Sequence, residues 1–183
     1  MKVAVIGTGN VGGGLADLWE RAGHELTRIG RDGGDVSTAD AVLLATPGGA
    51  VGEALERVRG IEGKTVIDAT NLIGVSAPDG WASNAEFVKS KTGGPTAKCF
   101  NVNFAAIYDR IAAASTRPSS VWCGDEEARE VVAKLNSDAG YEPIYAGGLE
   151  NAALQESFLG ILFAISQGGM GPFFYRIAPP EGF

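Results

Sequence analysis

The sequence is poor in the residues from which most catalytic and metal centres are assembled. It holds one histidine, His24, and two cysteines, Cys99 and Cys123, far apart and each inside an apolar stretch. That spacing excludes a disulfide framework and a Cys/His metal motif, so no metal is expected and both thiols are read as buried. Basic clusters are missing too: 15 Lys and Arg stand against 22 Asp and Glu, for a formal charge of -7. No positive face is available for nucleic acid or an anionic membrane, and neither is expected as a partner. Met1 leads directly into a strand-like run without a secretory leader pattern, which implies a cytoplasmic location. From Ser157 to Tyr175 there is no charge at all. The glycines, Gln167 and Pro172 in that stretch argue for a buried helix ending near Gly168, or one at a subunit contact, over a membrane span.

What is present is a regular alternation. "KVAVIG", "HELTRIG", "DAVLLATP", "GKTVIDATN", "TAKCFNV", "SSVWCG" and "EPIYAG" read as strands. Between them, "NVGGGLADLWERAG" and "AVGEALERVRG" have apolar residues at helical spacing. Ser83 with Glu86 forms a capping box for a further helix, and Asp125 is placed as the cap of "EEAREVVAKLNSDAG". "LENAALQESFLGILFAIS" gives the last helix, at about 149–170. With 45% hydrophobic residues and no repeat or linker, residues 1–183 are expected to form one α/β domain with a parallel sheet wrapped by helices.

Gly7, Gly9 and Gly12 in "GTGNVG" follow the first strand and open the first helix. This is the context in which G-x-G-x-x-G binds a dinucleotide pyrophosphate: a tight turn, a close backbone approach and close helix packing, in that order. Free N–H groups and the helix dipole then hold the phosphate. Gly13 and Gly14 extend the run for a reason the sequence leaves open between close neighbours and simple tolerance. At the end of the second strand, where an NAD site places a carboxylate on the ribose 2′-OH, the chain has Gly30 followed by Arg31. That pair suits a 2′-phosphate, with Thr8 able to add a hydroxyl, so NADP(H) is the expected cofactor. In the alternative, Arg31 is a solvated surface residue and Asp32 is the ribose ligand.

Ligands of open α/β sheets lie outside the carboxyl ends of the strands. Ala45, Thr46 and Pro47, Asp68 to Asn71, and Phe100 to Asn103 stand there as a neutral rim rich in amides and hydroxyls. His24 falls on the opposite edge and reads as structural. Asp68 is expected to cap the following turn. Lys98 lies within a strand, and Tyr108 is a spare proton donor or, on the better reading, a helix-surface residue. No catalytic acid/base group is assigned, which suits hydride transfer governed by positioning.

These motifs together resemble the F420-dependent NADP oxidoreductases, and also the cytosolic reductase domain of six-transmembrane metalloreductases. The resemblance runs along nearly the whole chain, through "VAVIGTGNVG", "GHELTRIGR", "DAVLLATP", "GKTVIDATN", "SNAEF", "KCFNVNFAA", "CGDEEAREVV" and "YEPIYAGGLENAALQE". It implies a Rossmann-type, doubly wound, mostly parallel sheet with a C-terminal helix. By resemblance, Thr8, Gly9, Asn10, Val11 and Arg31 bind NADPH, while Ala45, Thr46, Pro47, Asn71, Phe100 and Asn101 flank the nicotinamide, and the C-terminal helix makes a homodimer. The departures are Leu72 and Ala153, where relatives often carry proline and arginine, and the short "GGDVSTA" after Arg31. That shortening resembles small dinucleotide-binding oxidoreductases and implies a more open adenine side.

Three functions follow. The first is hydride exchange between NADP(H) and a flavin-like coenzyme: deazaflavin F420, FMN or FAD. Phe104, Met170, Phe173 and Phe174 offer apolar cover for such a ring, or else serve as core. The second is NADPH-dependent reduction of a small carbonyl or imine. The third is a non-catalytic NADP(H)-sensing module.

Overall fold

The short apolar runs lie side by side. In the computed structural model, which describes residues 1–182, the elements in chain order are β1 (Lys2–Ile6), α1 (Asn10–Arg21), β2 (Glu25–Ile29), β3 (Gly34–Asp35), β4 (Ala41–Leu44), α2 (Val51–Glu56), β5 (Val58–Arg59) and β6 (Thr65–Asp68). They continue as α3 (Asn84–Thr92), β7 (Thr96–Cys99), β8 (Ser119–Gly124), α4 (Arg129–Asp138), β9 (Glu142–Tyr145) and α5 (Ala152–Ile165). Seven strands form one sheet in the order β2-β1-β4-β6-β7-β8-β9, parallel except between β7 and β8. Chain direction across the sheet reverses after β2, so β1 and β4 flank the switch point where such sheets bind ligands.

Both faces of the sheet are covered, which is why its central strands are apolar throughout rather than alternating. Val3 and Val5 of β1 face α1 and α4, in a core with Leu15, Trp19, Val132 and Leu135. Ala4 and Ile6 face the other way, toward Val51, Phe87 and Val88 of α2 and α3. The result is the doubly wound, mostly parallel Rossmann arrangement. α5 lies on the β8 side, burying Leu159 and Leu162 with Val102 and Val121.

Several expectations are corrected. The "AVGEALERVRG" helix stops at Glu56, because Val58 and Arg59 pair in parallel with Gly34 and Asp35 as a separate two-stranded sheet. Asp125 does not cap α4 with its side chain; its Oδ2 accepts from Lys89 Nζ at 2.7 Å and from Thr96 N at 2.8 Å. The final helix is buried along one stripe only, leaving Leu154 70% and Ile161 60% exposed. Tyr108 is not a surface residue: it packs in the core, and a Cβ on Gly14 would fall 2.6 Å from its ring, which explains that glycine without a ligand. The Ser83 capping box is present, Ser83 Oγ accepting from Glu86 N at 3.2 Å. His24 is held by Asp138 at 2.7 Å, a structural contact.

The strand ends are locked by a group that the sequence reading passed over. Lys98, fully buried in β7, donates to Asp68 Oδ2 at 2.8 Å, to Thr70 O at 2.6 Å and to Glu156 Oε1 at 2.7 Å. Asp68 Oδ1 also accepts from Thr70 N, the expected turn cap, and Glu156 Oε2 accepts from Leu72 N. The preceding residue of α5, Gln155, donates to Asn101 Oδ1 at 2.7 Å and to Val121 O at 3.0 Å. One buried ammonium thus joins β6, β7, the loop after β6 and α5.

Lys98→Met leaves two carboxylates facing each other in a dry site. It is expected to cost about 3–5 kcal/mol, a fall in melting temperature on the order of 10 °C. Adding Asp68→Asn should recover part of the loss, and a single variant as stable as the parent would refute the role given to the ammonium. Burial pushes the Cys99 thiol up to about 11 and Cys123 up to about 12. Neither should react with an aromatic disulfide reagent at pH 8 until denaturant is added, when both should.

Candidate functional site

A cavity of about 720 Å³ opens at the switch point, in the size range of small-molecule sites. Eight of the expected cofactor residues line it: Gly7, Thr8 and Gly9 of the phosphate turn, Gly30 and Arg31 after β2, and Ala45, Thr46 and Pro47 after β4. The sequence places these groups in three separate loops, and the parallel pairing of β1 with β2 and β4 brings them to one rim.

Each glycine of the turn has its own physical reason. Gly7 has φ +95°, and a Cβ there would lie 2.6 Å from Ala45 O. At Gly12 a Cβ would meet Gly7 O at 1.9 Å, so only glycine lets α1 start this close to β1. Gly9 faces open space, with nothing within 4 Å of a built Cβ. The start of α1 has no side-chain cap and no acidic residue in its first turn, so its N–H groups and positive dipole end are left for an anion. Thr46 Oγ1, at the cavity wall, is buried without a hydrogen-bond partner among the described residues. An uncapped helix start, an open Gly9 and an orphan hydroxyl together fit a nucleotide cofactor.

Other expected residues stand elsewhere. Asn10, Val11 and Gly12 form the first turn of α1 behind the rim. Phe100 does not line the cavity: its backbone has φ +64°, and its ring is fully buried in the core against Trp19 at 5.7 Å. Asn101 is also withdrawn from the cavity, since its side chain is taken by Asn71 Oδ1 at 3.0 Å and by Gln155. Asn71 returns a bond to Asn101 O, so the two form a brace between the β6 and β7 ends. Phe104 packs on Phe173 and Phe163, and Phe174 joins the main core. The proposed apolar cover is therefore packing in this structure, apart from the exposed Met170.

Two groups were missed. Arg57, at the end of α2, lines the cavity opposite Arg31 and donates to the Arg31 carbonyl at 2.8 Å. With Gly33 and Val58 it lines the cavity beyond Arg31. A two-residue strand has no period to read, so this wall carried no sequence signal. The Lys98 cluster did carry one: a lysine inside an apolar strand needs a carboxylate, and Asp68 ends the strand before it. The rim is thus less neutral than its composition implied, though all three protons of that ammonium are already engaged.

No protein-family model and no curated protein sequence matches the chain. Among solved structures it is similar over 98% of its length, and 100% of the other's, to a candidate F420-dependent NADP reductase from Arthrobacter sp. FB24, at 24% identity and TM-score 0.78. It is also similar to an imine reductase from Streptomyces aurantiacus, at 16% identity and TM-score 0.69. A third is a reductive aminase from Aspergillus terreus in complex with NADPH4, at 18% identity and TM-score 0.67. The chain covers 91% of itself in both of these matches but only 63% and 62% of those proteins. At such identities the likeness is one of fold: a Rossmann-type α/β domain, matched over its whole length by a protein of the kind its motifs resemble.

Proposed function

We propose that this chain is an NADP(H)-dependent oxidoreductase that passes hydride between the nicotinamide and a flavin-like ring, either deazaflavin F420, FMN or FAD. The observation that carries this reading is the single cavity in which the uncapped start of α1, Gly30 with Arg31, and Ala45 to Pro47 meet. NADPH, when bound, would supply the hydride. The chain's part is to hold it: the amides of the turn neutralise the pyrophosphate, Arg31 answers the 2′-phosphate, and Ala45 to Pro47 give a neutral wall. The one carboxylate lining the cavity, Glu53, is paired with Arg57. With that carboxylate beside Arg57 and Arg31 and no acid or base at Ala45 to Pro47, catalysis rests on alignment, which suits a ring acceptor better than a carbonyl that must be protonated.

Names of similar structures support oxidoreduction with NADP and leave the acceptor open. More than a third of the imine reductase and of the reductive aminase lies outside the match, so the substrate walls of those proteins need not have counterparts here.

Titration should give NADPH binding at least tenfold tighter than NADH. Arg31→Ala is expected to weaken NADPH by about 1–2 kcal/mol, roughly five- to thirtyfold, with NADH little changed. Equal affinities for the two nucleotides in the parent would sink the cofactor reading. NADPH oxidation should proceed with F420, FMN or FAD. Turnover confined to small carbonyls or imines would replace the acceptor, and tight binding with no turnover would make the chain a sensor.

The chain is further proposed to form a homodimer through the outer face of α5, where Leu154, Ile161 and Ile165 are exposed in one stripe with no charge after Glu156. Light scattering should report a dimer for the parent and a monomer for Ile161→Glu. A monomeric parent removes this proposal.

A further inference from the structure

The wall beyond Arg31 carries a second guanidinium with no role in the reading above. Arg57 Nη1 donates to the main-chain carbonyl of Arg31 at 2.8 Å, while Nη2 is paired with Glu53, one helical turn earlier. All three residues line the nucleotide cavity. The position of Arg57 is set by backbone, not by its side chain. Gly34 N donates to Arg57 O at 3.2 Å, β3 pairs with β5, and Gly33 has φ +77° with a built Cβ only 2.0 Å from Arg57 O. No other residue type at 33 allows so close an approach.

We propose that Arg57 is a second specificity-determining residue for a 2′-phosphorylated adenine nucleotide, closing with Arg31 on that phosphate. The inference rests on the NADP(H) reading and extends it. A guanidinium has five N–H donors in a rigid fork, of which two are engaged here, leaving three for a ligand. The Glu53 pair is exposed on both sides, 49% and 61%, and such pairs hold weakly. A phosphate, with more charge and three acceptor oxygens, displaces that carboxylate readily. A nucleotide without the 2′-phosphate offers nothing in exchange, and meets Glu53 already satisfied. The short segment after Arg31 is what makes this possible: it turns back at Gly33 and pairs with β5, bringing α2 and its arginine to the end of β2.

The competing role is that Arg57 only fastens the Arg31 loop through its carbonyl. Arg57→Gln separates the two, because the glutamine amide can still donate to that carbonyl but carries no charge. Binding of adenosine 2′,5′-bisphosphate and adenosine 5′-monophosphate is measured by calorimetry for the parent, Arg57→Ala, Arg57→Gln, Glu53→Gln and Arg31→Ala. The parent should prefer the bisphosphate. Arg57→Ala and Arg57→Gln should each lose about tenfold in bisphosphate affinity with 5′-monophosphate unchanged, and Glu53→Gln should bind the bisphosphate at least as tightly as the parent. If Arg57→Gln keeps the parent's preference while Arg31→Ala loses it, the inference is overturned and the NADP(H) reading stands. A parent with no preference overturns both. Should Arg57→Ala fail to fold, Arg57→Gln decides alone.

Discussion

A lysine ammonium with no exposed surface must find an acceptor for each of its protons, and that requirement organises the ligand-facing end of this sheet. Lys98 finds them on the end of β6, on the loop after it and on a helix far along the chain: Asp68, Thr70 and Glu156. The two carboxylates are not merely counterions. Each spends its other oxygen on a backbone N–H of the loop after β6, so the charge cluster fixes the path of residues 68 to 72. That path puts Asn71 against Asn101, and its carbonyl against Gly48, where a Cβ would stand 2.2 Å from Asn71 O. The loop after β4, with Ala45 to Pro47 at its start, is therefore positioned from behind by the cluster as well as from below by its own strand. Burial of an ion triad is a poor source of net stability, but it tolerates few alternative geometries, and the alternative of leaving one member unpaired is costly.

The same cluster decides what α5 can present. With Gln155 and Glu156 committed inward and Leu159 and Leu162 on β8, the rotation of the helix about its axis is settled, and Leu154, Ile161 and Ile165 must face out. An apolar sequence in that segment made a buried helix the natural expectation; the polar pair at 155 and 156 is what splits it into an inner and an outer face.

Much of the fold was legible because it rests on local patterns. Continuous apolar runs mark the central strands, the glycine spacing marks the turn, and Ser83 with Glu86 marks the start of α3. What was not legible rests on pairings over long separations or on single dihedral angles. Lys98 and Glu156 are neighbours only once α5 has crossed the sheet. Phe100 looked like a rim residue because it follows a strand, yet one positive φ sends its ring inward. Asp125 has the type and position of a cap, but a lysine and a backbone N–H within reach compete for its carboxylate and win. Around the cavity, the three loops that line it are ones the sequence singles out, and the wall of Gly33, Arg57 and Val58 is not, since two-residue strands leave no periodic trace.

Proton supply is the remaining constraint on chemistry. The groups that look capable of it are unavailable for different reasons. Lys98 is enclosed, with its ammonium donating to Asp68, Thr70 and Glu156, and each of those two carboxylates has its other oxygen on a backbone N–H. Burial raises the Tyr108 phenol above its usual value, and its ring is sealed in the core rather than at the rim. A carbonyl reduced in this cavity would have to draw its proton from solvent at the moment charge develops on oxygen. A flavin or deazaflavin ring spreads the incoming charge over its conjugated system and can be protonated later at an exposed nitrogen. The absence of an acid at the rim among the described residues thus penalises the first reaction far more than the second, which is why a ring is the hydride partner proposed above.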